Sequence, residues 1–109
     1  MSSAPIRLHV PPPFELWLVS LASPAGGADL DLLDDAERAR SARFHFERDR
    51  GRYVVAHAAL RRLLAQRTAH DAAALVIEAG PYGKPYLAHA RRCAFSLSHC
   101  EDLALVALA

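Results

Sequence analysis

Ala94-Phe95-Ser96-Leu97-Ser98-His99-Cys100-Glu101-Asp102-Leu103-Ala104-Leu105-Val106-Ala107-Leu108 reads as two strands around a corner. Ala94 to Ser98 and Leu103 to Leu108 are short apolar runs. The polar Cys100-Glu101-Asp102 between them makes the pair a hairpin, and so antiparallel. Working outward, Leu75-Val76-Ile77 reads as a short strand and Gly80-Pro81-Tyr82-Gly83-Lys84-Pro85 as a turn. Phe14 to Leu21 reads as a further strand, dominated by bulky apolar residues. Ser23 to Gly27 is expected to be a loop. Asp34 and Glu37 have capping-box spacing, which starts a short helix through about Arg43. A longer helix is expected from near Glu47 to near Thr68. Its apolar positions Tyr53, Ala56, Leu60, Leu63 and Leu64 recur every three or four residues. Gly51 weakens its first turn by about 1 kcal/mol relative to alanine. Residues 1–13 end in Pro11-Pro12-Pro13 and are expected to be a stiff, extended leader to a domain over residues 14–109. The class is α+β: a small, largely antiparallel sheet with two helices on one face.

At 109 residues the chain is at most one small domain. Its 52% hydrophobic and 23% charged content is that of a globular protein and excludes a disordered chain. No apolar run is long enough to span a bilayer. The start lacks the charged-then-apolar layout of a secretory signal. Two cysteines, Cys93 and Cys100, are too few for a disulfide framework or a thiolate metal site, and fit free thiols in a reducing cytoplasm. Net charge is +1 but unevenly spread. Residues 1–36 hold one arginine against five acids, and residues 37–67 hold nine arginines against three acids. A basic middle in a near-neutral chain points to a local anionic partner rather than long-range steering.

Lys84 is the single lysine among 13 basic residues. Gly83 lets the backbone approach a ligand closely, and Pro85 fixes the next φ. The lysine between them is a mobile point charge suited to phosphate. A plain turn with a solvated lysine is the alternative. Ser98 and His99 end the first strand of the hairpin, and both can donate to phosphate oxygens. On a regular strand Ser96 and Ser98 share one side and His99 takes the other. A Ser-His catalytic pair is disfavoured, because sequence neighbours rarely face each other and no acid is placed to orient the histidine. Arg38, Arg40, Arg43, Arg48, Arg50 and Arg52 surround Phe44-His45-Phe46, which admits a nucleic-acid reading. The near-neutral total charge speaks against it. His9, His45, His57, His70 and His89 show no metal-ligand spacing.

One ordered series of motifs is more specific than any of its parts. It comprises Asp34-Asp35-Ala36-Glu37-Arg38-Ala39-Arg40-Ser41-Ala42-Arg43-Phe44, then Glu47-Arg48-Asp49-Arg50-Gly51-Arg52-Tyr53, then Leu60-Arg61. Tyr82-Gly83-Lys84-Pro85 and Phe95-Ser96-Leu97-Ser98-His99 complete it. This order resembles the amino-terminal half of the Sfp-type (surfactin-type) 4'-phosphopantetheinyl transferases, from about Phe14 to Ala109. The resemblance implies one half of a pseudo-two-fold fold with coenzyme A held between the halves. It implies transfer of the phosphopantetheine arm of coenzyme A to a serine of an apo acyl or peptidyl carrier protein, with magnesium. It implies that Arg40, Lys84 and His99 neutralise the 3'-phosphate and that Arg52 lies near the adenine. Tyr82, Gly83 and Pro85 would shape the adenine side, and Ser98 would reach the pyrophosphate.

The family's metal-binding Asp-x-Glu and its later Trp-x-x-Lys-Glu stretch are not among these residues. The resemblance therefore implies an amino-terminal half that is inactive alone and carries no metal ligands or catalytic residues. It leaves the final strand, Leu103 to Ala109, expected as an edge without a neighbour, open to a carboxy-terminal half or to a second copy. The alternatives are a non-catalytic module binding coenzyme A or carrier protein and, third, an arginine-rich nucleic-acid binder. A cytoplasmic protein with no membrane or nucleic-acid partner is expected.

Overall fold

The computed structural model describes residues 4–88 and 90–109. Residues 1–3 of the leader, and His89, lie outside the described residues. The chain is α+β. Strands β1 (Ile6–Leu8), β2 (Glu15–Ser20), β5 (Phe95–Cys100) and β6 (Leu103–Leu108) form one antiparallel sheet in the order β1-β2-β6-β5. Strands β3 (Ile77–Ala79) and β4 (Pro85–Leu87) form a separate two-stranded ribbon. Helices α1 (Gly27–Leu32), α2 (Asp35–Ala42) and α3 (Glu47–Thr68) and a single 3-10 turn, Ala72–Ala74, complete the fold.

The hairpin β5–β6 forms as its polar corner requires. Glu101 takes a positive φ of 53° in the turn, and His99 pairs with Ala104 and Phe95 with Leu108. Strand β6 is not an edge, contrary to expectation. β2 lies on its other side, with Leu18 opposite Leu105 and Val19 opposite Ala104. Two apolar six-residue strands of matching length satisfy each other's backbone, which leaves the shorter β1 and the more polar β5 to bear the exposed edges. The leader is likewise more than a spacer. Ile6–Leu8 pairs with β2 through Ile6–Leu18 and Leu8–Leu16.

Alternation along β6 sets the two faces of the sheet. Ala104, Val106 and Leu108 are buried beneath α3, while Leu103 and Leu105 are exposed. Helix α3 spans the 22 residues expected of it and buries Ala56, Leu60, Leu63 and Leu64 against Val19, Leu87, Phe95 and Val106. Tyr53, read as part of that apolar face, is only half-buried. Three α-helices form rather than the expected two, because Gly27–Leu32, which follows the expected Ser23–Gly27 loop and overlaps it only at Gly27, coils into α1 and packs on α3. Asp29 supports its start by accepting from the Gly26 amide at 3.0 Å. The strand expected at Leu75–Ile77 begins two residues later, since Leu75 follows the 3-10 turn and is buried in the core.

One buried charge ties the helical layer together. Arg61 is fully buried on α3. Its guanidinium donates to Glu37 Oε1 at 2.7 Å and Asp34 Oδ2 at 3.1 Å. It also donates to the carbonyls of Ala72 at 3.0 Å and Leu75 at 2.8 Å. Asp34 and Glu37 are the two halves of the α2 capping box, each accepting from the other's backbone amide at 2.8–2.9 Å. Arg61 thus fixes the start of α2, and with it the direction in which α2 carries its arginines.

Candidate anion-binding site

Two surface features flank the first turns of α3. The first is an aromatic and imidazole cluster. Phe44 packs on Tyr53 with ring centroids 5.4 Å apart, and Tyr53 stacks on His57 at 3.9 Å. The spacing of Tyr53 and His57, four residues apart on one helix, puts the rings one above the other. His57 Nδ1 donates to the Tyr53 carbonyl at 2.9 Å, a bond that only the Nδ1–H tautomer can make because a carbonyl only accepts. Burial pushes the His57 imidazole below its usual range. The Tyr53 carbonyl and Glu37 oppose that, while the charges of His99 and Arg40 add to it. Burial likewise raises the Tyr53 phenol, aided by Glu37 and opposed by Arg40. Arg40 from α2 and His99 from β5 therefore act on the same imidazole from two different elements.

The second feature is a cleft of about 1080 Å3 beside this cluster. Arg38, Arg48, Arg50 and Arg52 line it together with apolar Leu21, just past the end of β2, and Val54 of α3. Glu47 and Asp102 are its acids. Two of the arginines are oriented by backbone: Arg38 Nε donates to the Leu33 carbonyl and Arg50 Nη2 to the Phe44 carbonyl, each at 3.2 Å. A cleft of this size, apolar with a few convergent cations, suits a phosphorylated organic molecule.

The expected site residues are only partly united. The charges of Arg40 and His99 both act on the His57 imidazole, and Arg52 lines the cleft. Lys84 lies elsewhere. It lines a groove of about 520 Å3 with Phe14, Ala94 and Ser96, at the opposite end of the sheet from Leu21 and Asp102. Three strand residues, or about 10 Å of β5, run from Ser96 to His99. Gly83 and Pro85 do shape a tight turn. Gly83 has φ +80°, its amide donates to the Gly80 carbonyl at 3.0 Å, and Pro85 opens β4. Tyr82 at the tip is wholly exposed. Ser98 alternates to the sheet face opposite His99 and is exposed.

Sequence reasoning passed over His57, taken as one more surface or core histidine. The available signal was its position four residues after Tyr53, just before a run of buried alanine and leucine. Arg38, Arg48 and Arg50 read in the sequence as a basic run, with nothing local to mark them as the wall of a cleft. Among the described residues, no three His, Cys, Asp or Glu side chains are placed to hold a metal ion. No helix among them is long and apolar enough to cross a membrane. Cys93 and Cys100 are free thiols.

No curated protein matches the chain. A family model described as 4'-phosphopantetheinyl transferase, N-terminal, matches residues 27–109. That span includes α1 to α3, the Arg61 anchor, the four arginines of the cleft and the β5–β6 hairpin. The chain belongs to the 4'-phosphopantetheinyl transferase N-terminal domain family.

Proposed function

We propose that this chain is the amino-terminal half of an Sfp-type 4'-phosphopantetheinyl transferase and that it supplies cationic contacts to coenzyme A. The observation that carries the reading is a cleft lined by Arg38, Arg48, Arg50 and Arg52, all four within the residues of the family match. Coenzyme A has a phosphorylated ribose and a pyrophosphate, and several clustered donors are what such a ligand needs. In the transfer, a carrier-protein serine oxygen bonds to the pantetheine-side phosphorus. The pyrophosphate P–O bond breaks and adenosine 3',5'-bisphosphate leaves.

This chain's own donors do not fit magnesium, since no acidic cluster forms among the described residues. The reading assigns the metal ligands and the group that takes the serine proton to a complementary half. The sheet offers that half a surface. Ile6, Leu103 and Leu105 are exposed on the face away from α3, and alternation puts Leu8, Leu16 and Leu18 beside them. A cytoplasmic setting and an apo acyl or peptidyl carrier protein as partner belong to the same proposal.

The test mixes the chain with a complementary carboxy-terminal half, coenzyme A, magnesium and an apo carrier protein. The expected result is a mass increase on the carrier serine that needs both halves and falls at least tenfold with Arg40→Ala or His99→Ala. A folded pair that gives no increase would sink the proposal. The second reading, a binding module without catalysis, fits the lack of a His, Cys, Asp and Glu cluster among the described residues. It predicts that the chain alone binds coenzyme A tightly in calorimetry, and that adding a complementary half brings no transfer.

A further inference from the structure

Strand β5 is an edge of the sheet, and the pairing on its inner side fixes what its outer side offers. Ala94 and Ala109 exchange both of their backbone bonds, at 3.0 and 2.9 Å. Bonded pairs alternate along an antiparallel ladder, so in this register Ser96, Ser98 and Cys100 turn their amides and carbonyls toward β6. Those of Phe95, Leu97 and His99 point outward, where no strand of the sheet lies. An edge is commonly protected by being short, or by lysine, proline or a bulge. The other edge, β1, has three residues. Strand β5 has six, reads Phe-Ser-Leu-Ser-His-Cys, pairs with β6 without a bulge, and so carries none of these protections.

An occupant of this edge must be extended and must present its own backbone groups on the same alternation. A second β5 does so. Turned about a two-fold axis at Leu97, two antiparallel copies set Leu97 opposite Leu97 and Phe95 opposite His99. All three are outward-facing residues, which gives about six backbone bonds between the copies. The same register sets Arg92 of each copy opposite Asp102 of the other, just beyond the two ends of the ladder. Both side chains are exposed. The ion pairs among the described residues belong to Arg61, Arg62 and Arg67, so Arg92 and Asp102 are without one there. Between them the strand holds no Lys, Arg, Asp or Glu that would repel a second copy. A parallel pairing would instead set Arg92 against Arg92. We propose that β5 is a self-association edge that pairs with β5 of a second copy of this chain, antiparallel about Leu97. Pairing there makes one continuous sheet of two four-stranded ones. It leaves the apolar face around Leu105 out of the contact and stands apart from the transferase reading.

The test is sedimentation of the full 109-residue chain over a range of concentrations, joined to amide hydrogen exchange. A dimer is expected at high concentration. Arg92→Asp should weaken it about tenfold or more, since two exposed ion pairs become two repulsions. The swap Arg92→Asp with Asp102→Arg should recover it. Exchange at the Leu97 amide should slow about tenfold as monomer gives way to dimer, while the Ser96 and Ser98 amides, already bonded to β6, change little. Exchange needs no variant, so it decides the register even where Asp102→Arg unsettles the hairpin turn. A chain that stays monomeric at every concentration overturns the proposal. So does a dimer that Leu105→Lys abolishes, or one whose Leu97 amide exchanges as fast as in the monomer.

Discussion

At the scale of single residues, burial decides what a charge does here. Arg61 has no exposed surface and makes four hydrogen bonds, two of them to carboxylates. Truncation would strand Glu37 and the carbonyls of Ala72 and Leu75, and breaking a buried pair costs about 3–5 kcal/mol. Arg61→Ala is therefore expected to lower urea-unfolding stability by that order. Arg61→Lys should recover little, since one ammonium cannot span partners set around a planar fork. An Arg61→Lys protein as stable as the parent would refute this account. His57 behaves in the opposite sense. Its folded value is depressed below 6.5, chiefly by burial, so the unfolded chain binds the proton more readily. Stability linked to His57 is complete above pH 6.5 and is lost as pH falls toward the lower folded value. The difference in unfolding free energy between the parent and His57→Gln should shift across that window and be level on either side.

At the scale of elements, the turns separate what the sequence could reveal from what it could not. Helix α3 was legible to its ends because its apolar spacing and flanking breaks are local. Its last carbonyls are closed by Ala69, which sits at φ 57° in the left-handed region without being glycine. Ala69→Gly should stabilise the chain by about 0.5–1 kcal/mol in thermal or urea unfolding, because alanine is strained there and glycine is not. No gain would mean that the cap is not populated in solution. At the Gly80–Pro85 turn the sign reverses. A Cβ on Gly80 would meet the Lys84 carbonyl oxygen at 2.8 Å, where the Gly80 amide bonds the same atom at 2.7 Å. Gly80→Ala is expected to open the β3–β4 ribbon, at a cost on the order of 1–3 kcal/mol, and to speed amide exchange there. Elements set by tertiary contact were not legible. Ile6–Leu8 carries no strong strand signal and is extended because β2 offers it a partner. The division of the expected cations also depends on sheet position: Lys84 and His99 are close in sequence but lie toward opposite ends of β5. Motif order cannot report that.

At the scale of the whole molecule, the sheet is finished on one face only. The Cα radius of gyration is 13.3 Å, against about 13 Å expected for a compact chain of this length. A self-contained core and an uncovered apolar face thus occur together, and neighbouring residues of β6 separate their roles. Val106 is fully buried under α3, whereas Leu105 is 39% exposed on the opposite face. Val106→Lys should unfold the chain, since a charge forced into an apolar core without a partner costs several kcal/mol. Leu105→Lys should leave the unfolding midpoint nearly where it was, because its ammonium stays in water and its stem still covers Leu18 across the ladder. If the open face seats a complementary half, Leu105→Lys should nonetheless abolish co-purification of the two and the carrier-protein mass increase. Sedimentation distinguishes the remaining occupant: a parent chain that dimerises at high concentration, and a Leu105→Lys variant that does not, would mean that this face joins two copies of the same chain. Binding of the complementary half that is indifferent to Leu105→Lys would place the contact elsewhere on the molecule and remove the apolar face from the mechanism.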